Sequence, residues 1–155
     1  MIITTSRKPS RRTRSLAKFL AKFLNFQYVN RGKNSIEEIS AQYSDFWIIS
    51  EIKGNPAFLT YYHSANPILK ISFASSNVKK VEIDESPPIF IGKPPFDPLL
   101  FNAIPQNFAG LKLIRKLEFK KKIFVKKDRL YFYYNDEPVL GMRIFSVQNL
   151  IEKYR

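Results

Sequence analysis

The sequence has no cysteine and a single histidine, His63, among its 155 residues. The first absence excludes disulfides, thiol catalysis and cysteine-ligated zinc or iron–sulfur centres, and it fits a reducing interior. The second excludes any site that needs two imidazoles. Glycine is scarce, at 5 residues, and no phosphate-cradling glycine loop of the P-loop or dinucleotide type occurs. A nucleotide-hydrolysing site is therefore not expected. No apolar run approaches the ~20 residues of a membrane-spanning helix. Acids are also few, 13 against 26 Lys and Arg, for a net charge of +13. The remaining composition is ordinary, 45% hydrophobic and 25% charged. A chain of this size buries enough surface to fold without staples, as one compact domain or two very small ones.

The positive charge is focused. No acid precedes Glu37, while Arg7, Lys8, Arg11, Arg12, Arg14, Lys18, Lys22, Arg31 and Lys33 all do. A second block, Leu111 to Arg129, carries nine bases against Glu118 and Asp128. The rest of the chain is slightly acidic. Two basic blocks around a mildly acidic middle predict one binding surface for a polyanion.

Met1–Thr5 reads as a strand, since Ile2, Ile3, Thr4 and Thr5 are β-branched. From Ser10 the period changes: Leu16, Phe19, Leu20, Phe23 and Leu24 form the apolar stripe of a helix, with Arg11, Arg14, Lys18 and Lys22 opposite. Ser10 is its expected N-cap and Asn25 its expected stop. Phe26–Val29 reads as a strand, and Ser35–Tyr43 as a second helix opened by a Ser35/Glu38 capping box. Phe46–Ile52, Ala57–Tyr62 and Ile68–Phe73 read as a three-strand meander, linked through Gly54-Asn55-Pro56 and Asn66-Pro67. Val78–Ile83 and Ile89–Ile91 read as short strands, and Pro98–Ile104 as a weak helix. Leu111–Phe119, Lys122–Val125, Arg129–Tyr134 and Val139–Phe145 read as strands, and Ser146–Tyr154 as a closing helix. The expected class is α+β, with each half a small sheet plus helices.

The strand–turn–helix Thr4-Thr5-Ser6-Arg7-Lys8-Pro9-Ser10-Arg11-Arg12-Thr13-Arg14 is the first candidate site. A helix N-terminus presents free N–H groups and about half a positive charge. Arg7, Lys8, Arg11 and Arg12 crowd that end, where cations are locally unfavourable. Such crowding predicts an external anion there, most simply a phosphate backbone.

Thr4-Thr5-Ser6-Arg7-Lys8-Pro9-Ser10, followed by Arg12-Thr13-Arg14-Ser15, resembles the opening motif of Brix-domain ribosome-biogenesis proteins, the small-subunit processome branch in particular. The resemblance is specific over residues 2–24 and looser afterwards. Pro87–Pro98 matches no family motif. The length is similar to the short archaeal forms. The resemblance implies one Brix-type domain spanning 1–155, with halves at about 1–86 and 87–155. Each half is then akin to the anticodon-binding domain of class IIa aminoacyl-tRNA synthetases. It also implies rRNA or pre-rRNA binding with assembly factors or ribosomal proteins as partners, and no catalysis.

The second candidate lies in the later block. Lys120, Lys122 and Lys126 share a strand face suited to a groove, while Lys121 and Lys127 point elsewhere. Tyr131, Phe132, Tyr133 and Tyr134 follow, and whichever alternate pair faces outward is a base-stacking candidate. The expected RNA-binding set is thus Arg7, Lys8, Ser10, Arg11, Arg12, Arg14, Lys18, Lys22, Lys120, Lys122 and Lys126. No cofactor, metal, membrane or small-molecule substrate is expected, and the expected compartment is the cytoplasm. The rival from the enzyme class is a small RNA-processing nuclease, or its basic subunit, using Asp84, Glu85, Asp136 and Glu137. A structural ribosomal protein is the third reading.

Overall fold

The computed structural model describes residues 1–151. Nine strands form one mixed sheet in the order β2-β1-β3-β4-β5-β9-β8-β7-β6. They are β1 (Ile2–Thr5), β2 (Gln27–Tyr28), β3 (Asp45–Ile52), β4 (Asn55–His63), β5 (Asn66–Ser75), β6 (Ile89–Ile91), β7 (Lys121–Lys126), β8 (Arg129–Tyr134) and β9 (Glu137–Asn149). The helices are α1 (Arg11–Leu24), α2 (Ile36–Gln42) and α3 (Phe108–Lys116), with a 3-10 turn at Pro98–Phe101.

The two ends of the sheet repeat one pattern. β1 runs parallel to β3, which continues antiparallel into β4 and β5. β6 runs parallel to β7, which continues antiparallel into β8 and β9. The halves are not separate sheets, however: β5 and β9 pair antiparallel and fuse them. One core spans both, with Phe19 and Phe23 of α1 packed edge-on against Phe132 of β8 at 6.3 and 5.2 Å. Trp47 of β3 donates its indole N–H to the Leu100 carbonyl at 2.9 Å and packs against Phe101. A second, smaller core lies on the other sheet face, where Ile39 of α2 meets Ile2, Phe46 and Ile48.

The expected termini of α1 are found. Ser10 caps it by accepting from the Thr13 N–H, and Asn25 ends it in the left-handed region. The capping box of α2 is complete. Its meander departs from expectation in the turns. The loops are Lys53-Gly54 and Ser64-Ala65, all four residues at positive φ, the twist that suits two-residue hairpins. Pro56 and Pro67 instead sit inside β4 and β5, each at a register shift where a ladder N–H is not needed. Asn135-Asp136 and Pro138 repeat the same device between β8 and β9.

Three segments differ in type. Leu111–Phe119, expected as a strand, lies largely in α3: Asn107 caps it by accepting from the Gly110 N–H, and local capping outweighs the Leu111/Leu113 alternation. Val78–Ile83 forms no strand. Only Ser76 and Lys79 bond to β9, through Gly141 and Val139 carbonyls, before the chain leaves the sheet and its apolar side chains pack on the core. Ser146–Asn149, expected as the start of a closing helix, continues β9, because β5 offers it a ladder partner as far as Leu69. Residues 152–154 of that expected helix lie outside the described residues. The Pro98 helix is a single 3-10 turn, ended by Asn102 at φ 54°.

Candidate nucleic-acid interface

α1 buries Leu16, Phe19, Leu20, Phe23 and Leu24 on the sheet. Each such side chain contributes about 1.5–3 kcal/mol when removed from water. That commitment turns Arg11, Arg14, Lys18 and Lys22 to solvent, and all four are exposed. The helix has no acidic residue. Beside it, the segment after β5 forms the other wall of a groove of about 670 Å³, to which Lys79 and Lys80 contribute opposite Arg11, Lys18 and Lys22. Leu16 and Phe19 contribute apolar surface to it. On the other flank of α1, Arg14 and Lys18 border a second hollow with Tyr28, and the Lys18 ammonium lies 5.6 Å from the Tyr28 ring centre.

The start of α1 differs from the expected open anion site. Its anion is internal: Oε2 of Glu51 accepts from the Ser10 N–H, the Ser10 hydroxyl and the Thr13 hydroxyl. Burial alone would raise the Glu51 carboxyl, but these three bonds hold it below its ordinary value. Ser10 thus serves α1 and Glu51, its single hydroxyl hydrogen shared between Glu51 Oε2 at 3.0 Å and the Gly54 carbonyl at 2.7 Å. Arg12 is tied as well, donating to Asn55 Oδ1 at 2.8 Å and to the Ser75 carbonyl at 2.6 Å. Arg7 and Lys8 stay exposed on the turn before the helix. Behind them Arg31 is buried and donates to the Thr5 and Asn34 carbonyls. Burial first, and then the Arg7 charge, lower its pKa. Arg31 is a basic residue of this region that the motif alone did not single out.

The exposed lysines of β7 do not join the first block. Lys122 and Lys126 stand on the sheet face away from α1, since their alternates Lys121 and Ile123 are buried on the α1 side. Lys120 precedes β7 and pairs with Asp84 at 3.0 Å. Lys122 pairs with Asp136 at 3.5 Å, and Lys126 is exposed. Lys121 is wholly buried, donating to the Lys22 carbonyl and Asn25 Oδ1 at the C-terminal end of α1, at 3.2 Å each. A cation suits that end of a helix. The aromatic question is decided too: Leu130 and Phe132 are buried, so Tyr131 and Tyr133 face outward.

The acids proposed for a nuclease do not converge. Ser86 and then Lys120 hold Asp84 well below the usual carboxylate range. Asp136 pairs with Lys122 and Glu137 with Lys79. Among the described residues, no three His, Asp or Glu side chains gather as a metal site would need. His63 is exposed and shares Asp45 with Tyr61, at 2.7 and 2.5 Å.

No protein-family model matches the sequence. A probable Brix domain-containing ribosomal biogenesis protein of Archaeoglobus fulgidus is 53% identical over 146 residues, covering 94% of this chain and 95% of that protein. The chain belongs to the Brix-domain family of ribosomal biogenesis proteins. A Brix relative so named in Methanothermobacter thermautotrophicus is 34% identical over 98 residues, 57% of this chain and 63% of its own length. In fold, this Brix chain is similar to the crystal structure of Mil, an archaeal Imp4-like protein. The TM-score is 0.65 at 23% identity, covering 96% of this chain and 99% of that one. A probable ribosomal biogenesis protein from Aeropyrum pernix superposes with a TM-score of 0.55 at 16% identity, over 92% and 93% of the two chains.

Proposed function

We propose that this Brix-family chain binds rRNA or pre-rRNA as a non-catalytic factor in ribosome assembly, holding the phosphate backbone along α1. Arg7, Lys8, Arg11, Arg14, Lys18 and Lys22 make the track, with Lys79 and Lys80 across the groove. Arg12 and Ser10 act by fixing the helix start. The observation that carries the reading is the acid-free face of α1, whose four free bases sit opposite a fully committed apolar stripe. The repeated strand order supports reading the halves, about 1–86 and 87–155, as akin to the anticodon-binding domain of class IIa aminoacyl-tRNA synthetases. Its working place is the cytoplasm, beside ribosomal proteins or other assembly factors.

Fluorescence anisotropy with single-stranded rRNA fragments tests this. Six to eight phosphate contacts should give a slope of log K against log salt of about −4 to −6. Lys18→Glu with Lys22→Glu should weaken binding at a stability cost of only about 1 kcal/mol, which arises because Lys22 lies in the last turn of α1. Arg7→Ala should make the salt slope shallower by roughly 0.7. Arg12→Ala should mainly loosen the fold, because it removes two bonds between α1 and the strands. A flat salt response would end the proposal.

A further inference from the structure

The face of β7, β8 and β9 that points away from α1 is paved with rings and cations, and neither core includes it. Cross-strand pairing sets Tyr133 opposite Lys122, Tyr131 opposite Phe124, and Arg129 between Lys126 and Arg143. Phe124 and Tyr133 meet edge to face at 5.1 Å. Phe124, Tyr131 and Tyr133 are half-buried, so their edges are packed while part of each ring stays open. Arg143 lies over the exposed Phe145 ring at 5.4 Å and pairs with Asp128 at 3.2 Å. Lys126 and Arg129 have no acidic partner among the described residues and are exposed. The smaller core, built on α2, covers this side of the sheet only around Ile2, Phe46 and Ile48.

Rings interleaved with cations suit an unpaired nucleic-acid strand. Every base has a face to stack, and every phosphate a charge to neutralise. Protein interfaces are also rich in aromatics and arginine, but their cores are depleted of lysine. Here Lys122 and Arg129 stand among the rings themselves, and the two acids that border the face, Asp128 and Asp136, are each tied to a base. The opposite sheet face carries α1. RNA held on this face and RNA held on α1 are therefore separated by the thickness of the sheet.

We infer that the open face of β7–β9 is a second RNA surface, one that takes single-stranded RNA by stacking bases on Phe124, Tyr131 and Tyr133 with the backbone on Lys126 and Arg129. The inference rests on the RNA-binding reading above and deepens it. The molecule then grips two RNA segments at once, a phosphate track on α1 and a base-reading platform behind it.

The test uses a single-stranded RNA 12-mer carrying 2-aminopurine, with a duplex of the same length as reference. Tyr131→Ala with Tyr133→Ala should weaken single-strand binding about a hundredfold, roughly tenfold per ring, and abolish the 2-aminopurine quenching. Duplex binding should change less than threefold, since paired bases cannot stack on the face. Lys126→Glu with Arg129→Glu, at exposed positions, should weaken single-strand binding about tenfold with no change in urea midpoint. This pair decides the matter if the tyrosine variant fails to fold. Lys18→Glu with Lys22→Glu should weaken both RNAs and keep the quenching at saturation. Unchanged single-strand affinity in the Lys126/Arg129 variant, or in a folded tyrosine variant, would overturn the inference and leave the α1 track standing. RNA affinity untouched by all three sets would overturn the RNA-binding reading itself.

Discussion

Thr13 donates its hydroxyl hydrogen to Glu51 Oε2 at 2.5 Å across 38 residues of sequence. The contact joins the first turn of α1 to β3 and puts a carboxylate where the helix dipole favours one. It also explains how α1 tolerates Arg11 and Arg12 in its first turn without a bound phosphate. The local cation crowding is offset from within the fold.

Glu51→Gln should therefore cost about 1–2 kcal/mol, since it removes a charge that receives hydrogen bonds at a helix N-terminus. The carboxyl is held below its ordinary value of 4.5 in the folded chain. A depressed folded pKa means stability that is present above 4.5 and fades as the pH falls through the folded value. Denaturant unfolding of both proteins should show a gap at pH 7 that closes under acid. A gap independent of pH would mean that the carboxylate charge contributes nothing at this helix end.

Lys121 makes a second pH-dependent prediction, with the same direction but in the alkaline range. Burial lowers its pKa to about 8 from 10.5, with Asp84 and Glu85 acting against the shift. Between those values the unfolded chain holds a proton that the folded chain has lost, so stability from this residue rises with pH. Lys121→Met should lie within about 1 kcal/mol of the wild type at pH 7, because the lost bonds to Lys22 and Asn25 are balanced by the relieved burial of charge. At pH 10 the wild type should gain relative to the variant. Parallel urea midpoints at the two pH values would show that the ammonium is not held in a low-dielectric site.

Gly110 tests the packing of α3. Helix propensity alone predicts that Gly110→Ala stabilises by about 1 kcal/mol. A Cβ at this position, however, would lie 1.7 Å from the Pro105 carbonyl oxygen. The close approach must win, because a backbone oxygen cannot move aside as a flexible side chain can. Tryptic cleavage at Lys112, Arg115 and Lys116 should accelerate in the variant. Slower cleavage would show that α3 sits differently.

How much of this was legible in the sequence depended on how local the determining physics is. Residues 1–52 read almost as they fold. The β-branched opening, the Ser10 cap, the 3.6-residue stripe of α1 and the Ser35/Glu38 box each act within a few positions. The exposure of Arg11, Arg14, Lys18 and Lys22 follows from the same stripe. Which tyrosines face outward did not follow, since an alternating run is symmetric until one face meets α1. The segments around Val78, Leu111 and Ser146 fold otherwise than their apolar patterns suggest, because a pattern does not say whether a sheet partner is present. Pairing with β5 kept Ser146–Asn149 in β9, the Asn107 cap turned the Leu111 segment helical, and Val78–Ile83 left the sheet after two bonds to β9. Only the tertiary structure decided that Glu51 fills the anion site, that Arg12 ties down strands, that Lys121 lies buried and that Lys122 and Lys126 stand on the sheet face opposite α1. Each of these joins residues tens of positions apart, and such contacts depend on sheet order, which no local pattern along the chain encodes.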